Sequence, residues 1–110
     1  MIVTFQSQAA GDVIMFGDVA KRMMEIMGKA PEDKGIVTVE QLPDAIARLR
    51  AAVAAEKARL AGKSDDDLPQ TEQGEGGGTR PFVSIAQRAV PLLELLEFAL
   101  RKKRVVVWGV

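Results

Sequence analysis

Three features point to an α+β domain, with three helices packed on one face of a small sheet. The first is a pair of β-rich ends, MIVTFQ at the start and VVVW near the finish. The second is three stretches between them with apolar residues at helical spacing. The third is size and balance: 110 residues, 47% apolar and 27% charged, suit one modest core. A lone strand at each end needs a partner, because buried backbone N–H and C=O groups left unpaired are costly. The simplest solution pairs Met1–Gln6 with Val105–Trp108. The sheet is therefore expected to be two- or three-stranded and formed by the chain ends, with Ile36–Val39 as the third member.

The opening strand rests on Ile2, Val3, Thr4 and Phe5, residues that pack well on a pleated surface. Gln8–Gly11 reads as a turn. DVIMFGDVAKRMMEIMG then shows helical spacing, with Val13, Phe16, Ala20, Met23 and Met27 on one stripe. Asp12 is placed to cap this helix. Gly17 interrupts the pattern, so an alternative start is Asp18, with 12–17 as an irregular lead-in. Gly28 suits the C-cap because it adopts positive φ without a Cβ clash.

KAPEDKG is a loop, and GIVTV is a short strand. Thr38 and Gln41 have capping-box spacing, while Pro43 either starts the second helix or follows a single turn. That helix carries a thin stripe of Leu42, Ile46, Leu49, Val53 and Leu60 filled out with alanine. Gly62 ends it. Residues 63–79 are acidic and glycine-rich, with little to bury, and are expected to form a flexible loop within one domain spanning 1–110. Ser84 and Gln87 repeat the capping-box pattern before VPLLELLEFAL, a helix so apolar that it belongs at the centre. Pro91 either kinks or divides it.

The run RKKRVVVWGV closes the chain. Its cations fall at a helix C-terminus, where they meet the negative end of the dipole, and its valines and tryptophan favour a strand. The run is too short to span a bilayer, and no stretch reaches the ~20 apolar residues a spanning helix needs. MIVTFQSQ lacks the features of a secretory leader, so cytoplasmic residence is expected.

The chain contains no cysteine, histidine or tyrosine. Thiol chemistry, imidazole acid–base catalysis and the usual Zn or Cu ligands are therefore excluded. Fifteen cations balance fifteen anions, so global charge does not favour nucleic acid. The methionines fall at helical spacing, which fits core filling. DDDLPQTEQGEG lacks the spacing of a calcium loop, and GEGGGTR lacks the strand and lysine of a phosphate loop. No catalytic, cofactor or metal residue is assigned, and no cofactor is expected. The one polar group singled out is Arg80, Ser84 and Arg88 at the start of the apolar helix, where free N–H groups favour an anion. The plainer alternative is an ordinary cap with Arg88 paired to an acid such as Asp18.

The blocks MIVTFQS, DVIMFGDVA, EQLPDAIARL and VSIAQRAVPLLELL, followed by VVVWG, resemble a small proteobacterial family. It is catalogued only as a domain of unknown function, number eighteen-forty. The resemblance implies a short stand-alone bacterial protein and supplies no catalytic residue. The acidic loop and RKKR look peculiar to this member.

The expected function is therefore a non-enzymatic interaction or self-associating module in the bacterial cytoplasm, acting as a homodimer or with a protein partner. The alternative is a small anion- or metabolite-binding protein using Arg80, Ser84 and Arg88. Nucleic-acid contact through Arg101, Lys102, Lys103 and Arg104 is disfavoured, as is membrane association.

Overall fold

The computed structural model describes residues 2–60, 71–73, 79–81 and 84–109. The chain ends pair as the sequence suggests. Strand β1 (Ile2–Ser7) runs antiparallel to β6 (Val106–Trp108), with Phe5 opposite Trp108 and Gln6 opposite Val107. Strand β3 (Gly35–Val37) joins the other side of β6, with Ile36 opposite Val107. A further strand, β2 (Ala10–Phe16), forms a hairpin with β1 and sets Val3 opposite Met15 and Phe5 opposite Val13. The sheet thus has four strands in the order β2-β1-β6-β3, against the two or three expected.

The extra strand replaces the expected start of the first helix. From Val13 to Phe16 every residue is apolar, so alternation and helical spacing cannot be told apart there. Pairing with β1 decides it, and Val13 and Met15 turn inward while Ile14 and Phe16 turn outward. Two sequence expectations fall with it. Val13 and Phe16 belong to the strand rather than to the helical stripe, with Phe16 exposed, and Asp12 lies within β2 rather than at the helix start.

Helix α1 (Gly17–Ile26) begins at the glycine, with Phe16 as its N-cap residue and no side-chain cap bond. It buries Val19, Ala20, Met23 and Met24, and Gly28 follows its end with φ +81°, the conformation glycine tolerates best. Met15 and Met27 join those two methionines in the core, as core filling requires, although Met15 comes from β2 and not from a helical stripe.

Helix α2 (Leu42–Leu60) starts one residue before Pro43, where a missing N–H costs nothing. A turn precedes it, and Gln41 Oε1 accepts a 3.1 Å bond from the Thr38 N–H. Leu42, Ala45, Ile46 and Leu49 are buried. Residues 61 and 62 lie outside the described residues. Within the expected loop at 63–79, Thr71–Gln73 forms β4 and pairs with β5 (Thr79–Pro81). The rest of that segment is also outside them.

Helix α3 (Ile85–Lys102) runs unbroken through Pro91. Its capping box forms in both directions: Ser84 Oγ accepts from Gln87 N, and Gln87 Oε1 accepts from Ser84 N. Ala86, Ala89, Leu92, Leu95, Leu96 and Ala99 are buried, which makes α3 the central helix. Lys103 closes it in the left-handed region at φ 55°. Val3, Phe5, Val37, Val106 and Trp108 meet the helices on the inner face of the sheet. The Trp108 ring lies 5.6 Å from that of Phe5, and its indole N–H donates to the Glu32 carbonyl at 3.0 Å.

Candidate binding surfaces

Strand alternation puts Ile2, Thr4, Ile14, Phe16, Ile36 and Val107 on the outer face of the sheet. Ile2 and Ile14 are 62% and 65% exposed, far from what a core-facing strand would show. Phe16, Ile36 and Val105 are exposed as well. Among the described residues no strand lies beyond β2, so its outer edge is open. A groove of about 320 Å³ runs along that edge, walled by Ile2, Ile14 and Phe16 on one side and by Arg88 and Pro91 of α3 on the other.

Of the three residues singled out by sequence near the start of α3, Ser84 and Arg88 have described side chains. The Ser84 hydroxyl is committed to the cap. Arg88 turns to the β2 groove, and neither it nor Asp18 is without a partner. Arg80 lies in β5, and its side chain is outside the described residues. The helix start does attract an anion, and the chain supplies one itself. Glu56 of α2 is buried, and its Oε1 accepts a 2.9 Å bond from the Ala86 N–H. Its second oxygen lies 3.7 Å from the Arg59 guanidinium. This carboxylate answers both the unpaired N–H and the positive end of the helix dipole. Sequence reasoning missed Glu56. The only signal was a single acid inside AAVAAEKA, a pattern that also fits an exposed face.

The four cations of RKKR divide their tasks. Arg101 sits 4.5 Å above the Phe98 ring. Lys102 Nζ donates to the Ala9 carbonyl at 3.0 Å and ties the β1–β2 turn to the end of α3. Lys103 and Arg104 stand at a second groove, of about 480 Å³, between that turn and the α3–β6 connection.

Among the described residues no group of acids is arranged to hold a metal ion, and no helix is long and apolar enough to cross a membrane. A family model described as a domain of unknown function, DUF1840, matches residues 1–108. The chain belongs to this family. The match runs through every strand and helix above and stops at Trp108, the residue that closes β6. Neither the curated proteins nor the solved structures give a match to this DUF1840 chain. The resemblance read from its sequence blocks is thus the family to which it belongs, and that family's description assigns no activity.

Proposed function

We propose that this DUF1840 chain is a non-enzymatic association module that works as a homodimer in the bacterial cytoplasm. The observation that carries the reading is the row of Ile2, Ile14 and Phe16 along the open edge of the sheet. Edge strands are ordinarily protected by lysine, proline or a covering element. β2 contains neither lysine nor proline, and its one charge is Asp12. A second copy satisfies this edge by antiparallel pairing of β2 with β2. If the two-fold axis passes at Ile14, that residue meets its own counterpart and Asp12 faces Phe16, so no like charges oppose. The paired edges bring the apolar rows of both copies into one continuous face.

Sedimentation velocity at micromolar concentration tests this directly. The expected result is a dimer that becomes a monomer in Ile14→Lys, with the circular dichroism spectrum unchanged. A wild-type chain that sediments as a monomer overturns the reading.

A second reading, a small-anion binder using Arg80, Ser84 and Arg88, draws on the position of Arg88 at the β2 groove. It requires higher thermal stability in phosphate than in chloride at matched ionic strength, with the difference removed by Arg88→Gln. Equal stability in the two salts excludes it.

A further inference from the structure

The groove beside Lys103 and Arg104 lies apart from the start of α3 and from the β2 edge. One wall is the end of β1 and its turn, presenting Gln6, Ser7 and Gln8. The other is the α3–β6 connection with the two cations, and Val105 and Val107 give the groove its apolar surface. No acid lines it.

The charge here exceeds what the fold needs. A helix C-terminus favours cations in its last turn, and Arg101 and Lys102 occupy that turn. Arg101 lies over Phe98 and Lys102 holds the Ala9 carbonyl. Lys103 and Arg104 follow the helix, are exposed, and make no ion pair among the described residues. The two walls are also held in register. The Lys102 bond joins them, and the Ala9 N–H donates to Ser7 Oγ at 3.2 Å, which fixes the turn. A preformed site loses less ordering entropy when it fills.

From this geometry we propose that the groove binds a small organic phosphate monoester with a compact apolar or aromatic body. A phosphate monoester carries close to two negative charges, matching one lysine and one arginine. Arginine can grip two phosphate oxygens with its fork, while lysine acts as a point charge. The amide groups of Gln6 and Gln8 and the Ser7 hydroxyl offer uncharged donors for the remaining oxygen. Val105, 40% exposed, and Val107 give the apolar body a surface to cover. The volume suits a small ligand, since such sites span roughly 300–1,000 Å³.

The test is a titration of the full ¹⁵N-labelled chain with phenyl phosphate, followed by amide chemical shifts, with inorganic phosphate as comparator. Saturable shifts are expected at residues 6–8 and 103–107, with tighter binding for phenyl phosphate than for the inorganic ion. The double variant Lys103→Gln/Arg104→Gln is expected to weaken binding by about tenfold or more, as loss of charge-assisted hydrogen bonds requires. Arg88→Gln is expected to leave it unchanged, which separates this groove from the start of α3. Three results overturn the proposal: no saturable shift, shifts centred on residues 84–88, or equal affinity in the double variant. It also fails if a single-stranded oligouridylate binds the same residues more tightly than phenyl phosphate, with an affinity that falls steeply with salt, because the surface then reads a polyanion.

Discussion

Glu56 near the end of α2 and the backbone N–H of Ala86 at the start of α3 are joined by a 2.9 Å hydrogen bond across thirty positions of chain. Glu56 is the one buried charged residue among those described. The bond links two helices that come from either side of the long acidic segment. Buried charges are usually paired and hydrogen-bonded, and here a helix N-terminus and Arg59 supply both.

Glu56→Ala is therefore expected to lower stability by about 1–3 kcal/mol, because the Ala86 N–H is left buried and unpaired. Glu56→Gln keeps an acceptor oxygen and should lose less than Glu56→Ala. Urea denaturation of both variants beside the wild type checks the order. Equal stability in all three would show that the bond contributes nothing.

A second prediction concerns Gly35, which faces Trp108 across the β3–β6 ladder. A Cβ placed on Gly35 would overlap the six-membered part of the indole ring. Gly35→Ala must push either strand or ring aside, and overpacking of this kind costs roughly 1–3 kcal/mol. Trp108→Phe removes the obstructing ring atoms, so the alanine should cost less in that background. A double-mutant cycle by thermal denaturation measures the difference.

Leu96 is fully buried at the centre of α3. Leu96→Ala should destabilise the chain by about 2–5 kcal/mol through lost burial and the cavity left behind. Guanidinium unfolding monitored by Trp108 fluorescence gives the value. A cost below about 1 kcal/mol would mean that α3 is not the central helix described above.

The Arg50–Glu97 pair makes the contrast. It also bridges α2 and α3, at 2.8 Å, but both side chains are well exposed. Exposed pairs contribute about 0–1 kcal/mol, so Glu97→Ala should move the urea midpoint only slightly and less than Glu56→Ala. A loss equal to that of Glu56→Ala would contradict this ranking of the two links.

How far the fold could be read from sequence depended on the range of the interactions. The Ser84–Gln87 box was legible because both partners lie within one turn of chain. The pairing of β1 with β6 was legible because lone β-rich ends have few other ways to satisfy their backbone. β2 was not, since an unbroken apolar run from Val13 to Phe16 fits either period until a neighbour selects one. The site expected at Arg80, Ser84 and Arg88 rested on the pull of a helix start on anions. That pull is met in part by Glu56, which no local pattern connects to Ala86. The cations of RKKR were legible as a helix-end cluster, but their division between a ring, a carbonyl and a groove depends on contacts with β1 and its turn.

The strand order carries a consequence for how the chain is made. β6 lies between β1 and β3, so the two parts of the sheet share no ladder until β6 arrives. During synthesis the β1–β2 hairpin and the helices can form early, but their apolar faces must wait, partly bare, for β6. A chain released before β6 is made would have its hairpin formed and its sheet unjoined, a natural target for chaperones and proteases.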